Sequence, residues 1–264
     1  MLPKAFKRGE KKNGLLMGGL CNRIICLATL VEYSKLHGYA IDEPVFHSML
    51  RKPKEPKHLK FSDIYDLEYF NEQMKNKGIQ MITNDNRDYQ RVPIDINLWI
   101  KKRSLSTMYD VLLSLKLKPE YLKIVEEINT SNNVSIHIRN ELGWGPGYPT
   151  IINKIKEKYS DENKLFFTTG QNHDYISNLL NENNVSSFYY YNSSLSYEVN
   201  SAINFELCVN SDIFIGMSRS SFSHLIIMKR FYLNKNNKNS FYDMQFDYKQ
   251  IERLFLKGTP LSKI

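Results

Sequence analysis

The sequence predicts an α/β fold with two halves, each a parallel sheet covered by helices, facing a central cleft. The main evidence is a regular alternation of short apolar runs with longer amphipathic segments, at the spacing typical of helix-covered parallel sheets. The 264 residues suit one large domain or two small ones. Hydrophobic residues make up 42% of the chain and charged residues 24%, which indicates an ordinary globular protein. No apolar run is long enough to cross a membrane.

The first half, residues 1–130, begins with a basic N-terminus that no apolar signal core follows. A short apolar run at 14–19 leads into a Gly-Gly turn, and apolar periodicity then predicts a helix over 22–37 that ends at Gly38. The remaining predicted elements are a strand at 39–41, a loop at 46–56, an aromatic loop and helix at 61–77, a strand at 79–82, and helices at 104–115 and 119–128. The polar stretch 129–133 is the natural linker.

The second half, residues 131–264, has the clearer alternation of strands and helices. Its predicted strands lie at 134–138, 165–168, 188–191 and 213–216, and its predicted helices at 151–158, 174–181, 202–209 and 222–229. Because each strand is followed by a helix, the connections favour a parallel sheet.

Cysteine usage and charge limit the compartment and the partners. The three cysteines, Cys21, Cys26 and Cys208, lack zinc-like spacing, so we interpret them as small buried hydrophobic residues in a reducing compartment and expect a cytoplasmic protein. The net charge is +8, with basic stretches at 52–60 and 101–103. Such stretches are usually solvated faces, and no known nucleic-acid motif accompanies them, so we expect no nucleic-acid partner. They could also hold the protein against an anionic membrane surface.

The strand predicted at 134–138 ends in a His-x-Arg sequence, His137-Ile138-Arg139. Ligands of α/β proteins collect at the carboxyl ends of strands, and an arginine there can hold a phosphate with two parallel hydrogen bonds. The following segment, 140–147, has three glycines, which indicates a backbone shaped to approach a ligand. The alternative is that Arg139 pairs with a structural carboxylate.

A serine-rich turn, Ser218-Arg219-Ser220-Ser221-Phe222-Ser223, follows the strand predicted at 213–216 and begins a helix. Free backbone N–H groups and the helix dipole favour an anion at such a position. Capping of the helix is the alternative role for serine, although it accounts for one serine better than for four. Together with Arg139, the turn predicts a site for a pyrophosphate.

Metal ligands are not evident in the sequence. It has no Asp-x-Asp motif and no His/Cys cluster with ligand spacing. We therefore expect neither a metal nor a resident cofactor.

Four segments resemble the fucosyltransferase superfamily that includes the α1,2-, α1,6- and protein O-fucosyltransferases. In chain order they are Gly18-Gly19-Leu20-Cys21-Asn22-Arg23, Phe61-Ser62-Asp63-Ile64-Tyr65-Asp66, His137-Ile138-Arg139, and residues 204–216 with Ser220-Ser221-Phe222-Ser223. Their order matches that of the superfamily across residues 14–230.

The resemblance implies a GT-B-like, metal-independent, inverting glycosyltransferase that transfers fucose from GDP-fucose to a glycan acceptor. Residues 1–130 would form the acceptor side, and residues 131–264 would bind the nucleotide sugar. Carried over residue by residue, Arg139 would contact the β-phosphate as a catalytic residue, and Ser220, Ser221 and Phe222 would line the phosphate and base. His137 and Asn22 would lie near the sugar. The remaining donor-binding residues implied are Gly18, Gly19, Ser218 and Ser223.

Three positions depart from the superfamily pattern. Asn140-Glu141 replaces the usual sequence after the arginine, Thr168-Thr169-Gly170 lacks an aspartate, and Cys21 stands where a glycine is usual. Another nucleotide sugar, or a binding module without catalysis, therefore stays open.

An inverting transfer needs a general base for the acceptor hydroxyl, and a carboxylate is the usual candidate. Glu141 is the nearest in sequence to Arg139, with Asp63 and Asp66 as rivals from the other half. The alternative for Glu141 is a surface carboxylate paired with Arg139 or a lysine. The resemblance also admits a reaction without a protein base.

Overall fold

The computed structural model describes residues 3–8, 19–47, 58–94, 104–139, 146–158, 164–249 and 251. The described residues fall into two compact units. The first contains the residues up to Lys123 together with Ser196–Ala202, and the second contains Ile124–Leu195 and Ile203–Ile251. Two of the three divisions, after Lys123 and after Ala202, fall inside helices, whereas the sequence predicted a single boundary between residues 130 and 131. The acceptor and donor roles assigned to the two halves stay predictions.

The first unit is built around a parallel sheet. Its elements, in chain order, are β1 (Lys4–Arg8), α1 (Leu20–His37), β2 (Ala40–Asp42), β3 (Val45–His47), β4 (His58–Lys60), α2 (Phe61–Ile64), α3 (Leu67–Lys75), β5 (Met81–Ile82), β6 (Gln90–Ile94), α4 (Leu105–Ser114) and α5 (Pro119–Ile128), which continues into the second unit. The strand order is β5-β2-β1-β6, and each pairing is parallel. The first strand is therefore central, as in dinucleotide-binding folds.

The helix α1 confirms the predicted helix and its end. Its residues from Leu20 to Val31 are almost all buried. Gly38 adopts a left-handed conformation, with φ 67° and ψ 24°, and its N–H donates to the carbonyl of Ser34 at 2.8 Å. A glycine accommodates this conformation without the strain that a Cβ would add, which explains why the helix ends there.

Two strands of the first sheet were missed in the sequence. β1 lies in the basic N-terminal segment, for which we predicted no strand, and β6 contains Pro93. β6 lies at the edge of the sheet, where a proline is tolerated because only one side of the strand must pair. The predicted run at 14–18 lies outside the described residues.

The loop predicted at 46–56 is wrong at its first two residues, 46 and 47, which belong to a strand. Val45–His47 forms β3, which pairs with β4 in an antiparallel ladder. The aromatic segment after it folds as predicted into short helices, with Phe61 and Phe70 fully buried in contact at 5.2 Å between ring centroids. Gly78, with φ 69°, follows α3.

The second unit is a Rossmann-like sheet with helical connections. Its elements are β7 (Val134–Ile138), α6 (Tyr148–Lys158), β8 (Leu165–Thr169), α7 (His173–Glu182), β9 (Ser187–Phe188), α8 (Tyr197–Asn210), which begins in the first unit, β10 (Ile213–Gly216), α9 (Ser221–Tyr232), a 3₁₀ turn (Asn236–Lys238) and β11 (Asn239–Phe241). The strand order is β11-β10-β7-β8-β9, with parallel pairings throughout. The predicted alternation is confirmed here, apart from the length of β9 and the missed β11.

The core of this unit forms around its central strand. All five residues of β7 are buried, because both faces of a helix-covered parallel sheet are shielded from water. The buried hydrophobic cluster comprises Val134, Ile136, Ile138, Ile151, Ile155, Leu165, Phe167, Ile176, Leu180, Val185, Ile215, Met217 and Tyr242. The three cysteines are buried, as the sequence suggested. Within the described residues, every helix is too short or too polar to serve as a membrane span.

Candidate functional site

The strand order of the second unit creates a topological switch point beside β7. From β7 the chain moves outward to β8 and β9, and then returns to the other side of β7 to form β10 and β11. The connections on the two sides therefore diverge, which leaves a crevice beyond the carboxyl ends of β7 and β10 where α/β proteins bind ligands. Arg139 follows β7, and the turn Met217–Ser220 follows β10.

His137 is the second-last residue of β7, just before this crevice, and is 9% exposed. Its Nδ1 lies 2.9 Å from the Oγ of Ser223, and its ring contacts that of Phe222 at 4.7 Å between centroids. Burial, with a smaller contribution from the positive charge of Arg139, lowers the pKa of His137 to about 3. The imidazole is therefore neutral at neutral pH.

Ser223, which is fully buried, joins the central strand to the turn after β10. Its Oγ accepts the backbone N–H of Met217 at 2.9 Å while contacting His137. The close approach requires a glycine at position 216, because a Cβ there would lie 2.8 Å from the Cβ of Ser223 and 3.0 Å from its Oγ. The buried hydroxyl of Ser223 thus links β7 to the turn after β10.

The turn Met217–Ser220 is fixed by Asp243, which follows β11. The backbone N–H and the hydroxyl of Ser218 donate to the two carboxylate oxygens of Asp243 at 2.9 and 2.6 Å. The Nε2 of His224 lies 2.5 Å from the carbonyl of Ser218 and donates to it. Burial lowers the pKa of His224 to about 4, against the opposing effects of this hydrogen bond and of Asp243.

Ser220 and Ser221 stand at the N-terminus of α9. Ser220 occupies the N-cap position and is 2% exposed, but its side chain makes no capping hydrogen bond. Simple capping therefore does not explain this serine. Ser221, half-buried, is the first residue of the helix, and the ring of the following Phe222 lies between those of His137 and Phe205. The twelve-residue helix directs its first N–H groups toward the same edge of the sheet.

Arg139 is held through its backbone by Tyr242, which also follows β11. The N–H of Arg139 lies 3.2 Å from the Oη of Tyr242, and the Tyr242 hydroxyl lies 3.4 Å from the Arg139 carbonyl. The N–H of Tyr242 donates to the carbonyl of Gly216 at 3.1 Å. Burial raises the pKa of Tyr242, so its phenol stays protonated. Arg139 is half-buried at the carboxyl edge of the sheet.

The structure thus brings together a subset of the predicted donor-binding residues in the second unit, namely His137, Arg139, Ser218, Ser220, Ser221, Phe222 and Ser223. Gly19 and Asn22 belong to the first unit. Gly18 and Glu141 lie outside the described residues. Their roles, like those of the whole predicted site, stay predictions.

In the first unit, Gly19 is the N-cap of α1, with φ −60° and ψ 178°, and its carbonyl accepts the N–H of Asn22 at 3.0 Å. Cys21, where the superfamily pattern has a glycine, is buried within the first turn of α1, and burial raises its thiol pKa.

The rival bases Asp63 and Asp66 serve as helix caps. The Oδ2 of Asp63 accepts the N–H of Lys60 at 2.7 Å, and the Oδ1 of Asp66 accepts the N–H of Tyr69 at 2.9 Å. These bonds give both carboxylates a structural role at the starts of α2 and α3. Among the described residues, no group of three or more histidine, cysteine, aspartate or glutamate side chains is placed to hold a metal ion.

Tyr242 and Asp243 are the site residues that the sequence analysis missed. The available signal was a polar Tyr-Asp pair at the end of the short segment 239–241, which resembles the His-x-Arg position after β7. That signal becomes useful only once the segment is recognised as a strand, because a strand next to β10 ends at the same edge.

The fold of the chain is similar to that of solved fucosyltransferases. POFUT1 in complex with GDP-fucose superposes with a TM-score of 0.66 at 11% identity, covering 92% of this chain and 99% of that one. NodZ, a fucosyltransferase from Bradyrhizobium, superposes with a TM-score of 0.56 at 11% identity, covering 86% of this chain and 93% of that one. The NodZ α-1,6-fucosyltransferase co-crystallised with GDP gives a TM-score of 0.54 at 13% identity, covering 86% and 92%.

The chain has a fucosyltransferase-type fold. This confirms the predicted α/β, GT-B-like fold class. No family model matches the chain, and no curated protein matches it in sequence. At 11–13% identity, the likeness concerns the fold, and function must be argued from the site.

Proposed function

We propose that the protein is an inverting, metal-independent glycosyltransferase that transfers fucose from GDP-fucose to a glycan acceptor. The observation that carries this proposal is the switch point of the second unit, where Arg139 and the serine turn meet beside β7. Proteins of the same fold bind GDP or GDP-fucose, which supports a nucleotide sugar as the donor.

In this proposal, the pyrophosphate of the donor binds between Arg139 and the N-terminus of α9. The guanidinium neutralises the phosphate nearer the sugar, and the N–H groups of the helix supply further hydrogen bonds. Ser220 and Ser221 are placed to add their hydroxyls. Ser223 and Asp243 act beneath the phosphates, where they hold the turn in one conformation and so reduce the cost of ordering it on binding.

The chemistry requires one bond to break and one to form. The bond between the anomeric carbon and the β-phosphate oxygen breaks, and its electron pair stays on the departing diphosphate. The acceptor oxygen attacks from the opposite face, which inverts the anomeric centre, and its proton passes to a base. Arg139 stabilises the negative charge that develops on the leaving group, so its effect is greatest in the transition state.

We assign the base to Glu141, which follows Arg139 closely and lies outside the described residues. With Asp63 and Asp66 occupied as helix caps, Glu141 is the remaining candidate from the sequence. We further propose that residues 1–130 form the acceptor side, with Gly18 and Gly19 contributing to donor binding and Asn22 near the sugar. A cytoplasmic location, with the basic stretches at 52–60 and 101–103 touching anionic lipid, completes the proposal.

The neutral His137 supports a role in shaping the donor site rather than in accepting the proton. A general base must be able to gain a proton near neutral pH, and the pKa of about 3 makes His137 a poor acceptor. Its contact with Phe222 instead fixes the first turn of α9 beside β7.

The decisive experiment incubates the purified protein with GDP-fucose, GDP-mannose, UDP-glucose and ADP-glucose and measures the nucleoside diphosphate released. We expect slow release from GDP-fucose and faster release when a suitable glycan is added. Release from a different donor would replace fucose by that sugar. Binding without release from any donor, with or without glycans, would identify a nucleotide-sugar-binding module, which the altered residues after Arg139 would then explain.

A further inference from the structure

The phenol of Tyr242 links the core of the second unit to the end of its central strand. Its ring belongs to the buried cluster that includes Ile136 and Ile138 of β7, and Tyr242 is only 4% exposed. Its hydroxyl extends past this cluster to the backbone of Arg139, where it lies 3.2 Å from the nitrogen and 3.4 Å from the carbonyl oxygen. A single oxygen thus serves both backbone polar groups of the residue that carries the guanidinium.

These two contacts begin where the strand pairing of β7 stops. The ladder of β7 with β8 ends at Ile138, and its ladder with β10 ends at Ile136. Arg139 lies beyond both ladders, and there the hydroxyl of Tyr242 takes the place of a neighbouring strand. One atom can reach the N–H and the C=O of a residue only if both groups point to the same side, as they do in extended backbone. The hydroxyl therefore keeps Arg139 in the extended conformation of β7.

Extended backbone at position 139 determines the face of the sheet on which the guanidinium lies. Side chains alternate along a strand, so Arg139 shares a face with His137 and not with Ile138. The ring of His137 contacts that of Phe222, and its Nδ1 lies 2.9 Å from the Oγ of Ser223. Both partners belong to the first turn of α9. The side chain of Arg139 is thus directed to the face that carries the N-terminus of this helix.

The position of the Tyr242 hydroxyl is itself fixed by the turn after β10. The N–H of Tyr242 donates to the carbonyl of Gly216 at 3.1 Å. The next residue, Asp243, accepts the N–H and the hydroxyl of Ser218 at 2.9 and 2.6 Å. Two consecutive residues therefore tie the segment after β7 to the turn after β10, although 103 positions separate Tyr242 from Arg139 in the chain.

We propose that Tyr242 is a positioning residue of the transfer reaction, whose hydroxyl aligns Arg139 with the diphosphate bound at the N-terminus of α9. This inference rests on the proposed function for the identity of the reaction. Tyr242 acts through Arg139, because its own ring packs on the face of β7 opposite His137. A guanidinium forms two parallel hydrogen bonds with a phosphate only in one orientation, so a small rotation of its backbone weakens the contact.

The experiment is a double-mutant cycle that combines Tyr242→Phe with Arg139→Ala. It measures kcat for donor cleavage and, by calorimetry, the affinity for inorganic pyrophosphate. Tyr242→Phe keeps the buried ring and should lower kcat roughly 10- to 100-fold, the cost of a misplaced catalytic group. Pyrophosphate binding should weaken less, roughly threefold to tenfold, because the leaving group gains charge in the transition state. In the Arg139→Ala background, Tyr242→Phe should change neither quantity by more than about twofold, since no guanidinium is left to align.

A matched control separates positioning from folding. Thr130→Val removes another fully buried hydroxyl of the second unit, which donates to the carbonyl of Leu207 at 2.6 Å. This variant should have a lower melting temperature but the kcat and the pyrophosphate affinity of the wild type. All kinetics are measured well below the lowest melting temperature of the set. If Tyr242→Phe lowers kcat by the same factor with and without Arg139, Tyr242 supports only the fold, and the inference is refuted.

The outcomes also distinguish this inference from the proposed function. If Tyr242→Phe retains the kcat and the pyrophosphate affinity of the wild type, the positioning role is refuted while a glycosyltransferase remains tenable. If no nucleotide sugar is cleaved, but pyrophosphate binding depends on Tyr242 only when Arg139 is present, the alignment of Arg139 stands and the transferase proposal fails. A wild-type protein that neither cleaves a nucleotide sugar nor binds pyrophosphate refutes both.

Discussion

Replacing Ser223 with alanine removes the hydroxyl that joins β7 to the turn after β10. In the wild type this oxygen accepts the N–H of Met217 and contacts Nδ1 of His137, both at 2.9 Å. Met217 and Ser223 are at most 1% exposed, and His137 is 9% exposed. The substitution therefore leaves two buried polar groups without their partner.

The magnitude follows from the number of groups affected. A buried polar group that loses its partner costs about 1–3 kcal/mol, so two such groups should lower the free energy of unfolding by about 2–6 kcal/mol. In a chain of this size, each kcal/mol of lost stability lowers the melting temperature by about 2–4 °C, so the melting temperature should fall by at least about 4 °C. The alanine also loosens the turn, so GDP binding should weaken.

The assay combines thermal melts and urea unfolding with GDP titration of the same variants. Ser221→Ala is the matched control, because Ser221 lies in the same turn but is only half-buried at the first position of α9. We expect the control to lose GDP affinity with little change in melting temperature. If Ser223→Ala melts and binds like the wild type, Ser223 does not organise the site, and the division between supporting and ligand-binding serines is wrong.

Four further predictions concern the same site. Arg139→Lys should reduce turnover roughly 10²–10³-fold, nearly as much as Arg139→Ala, because lysine keeps the charge but loses the two-pronged contact; steady-state kinetics with substantial activity in the lysine variant would contradict this. Activity should persist in excess chelator, and a complete loss that manganese or magnesium restores would refute metal independence. Ser220→Ala should weaken GDP binding roughly tenfold or more in calorimetry without lowering the melting temperature, whereas a helix cap would show the reverse. Finally, His137 and His224 have pKa values of about 3 and 4 in the folded protein, below the ordinary value of 6.5, so both take up protons on unfolding at acid pH. The free energy of unfolding should therefore fall as the pH drops below about 6.5. The expected slope is about 1.4 kcal/mol per pH unit for each histidine, until its folded pKa is approached. Urea unfolding between pH 7 and pH 4.5 checks this, with His224→Gln as the variant expected to have a shallower slope.

The serine turn illustrates how chemically similar residues acquire different tasks. Ser218 is bound to Asp243, Ser223 is buried against His137, and Ser220 and Ser221 are left at the helix N-terminus. The sequence predicted a cluster of hydroxyls around an anion, but the position of a serine in the sequence does not show whether its hydroxyl points into the core or toward the ligand. That assignment depends on which elements pack beneath the turn.

Local patterns were sufficient for the elements that carry their own signals. The apolar run of β7 predicted its strand, and Gly38 predicted the end of α1, because burial and left-handed backbone conformation limit the residue types at these places. The fold class followed from their alternation. The motif ending in Arg139 could likewise be recognised from sequence, since a strand and the residue after it are adjacent in the chain.

Elements whose stability comes from distant partners were missed. β1 has a basic sequence, β6 contains Pro93, and β11 is a three-residue strand, so none shows the apolar pattern of a central strand. Each becomes a strand because a neighbouring strand supplies its hydrogen bonds, which is why strand propensity depends so strongly on context.

The sequence by itself determined the α/β class, the central strand β7 and the two segments that we propose bind a phosphate. Only the tertiary structure decided that β7 lies between β8 and β10, that Tyr242 and Asp243 support the site, and that His173 stacks between two tyrosines. The physical reason is the range of the interactions: helix ends and buried runs are specified by neighbouring residues, whereas strand order and side-chain contacts arise between residues far apart in the chain, whose proximity exists only after the sheet has formed.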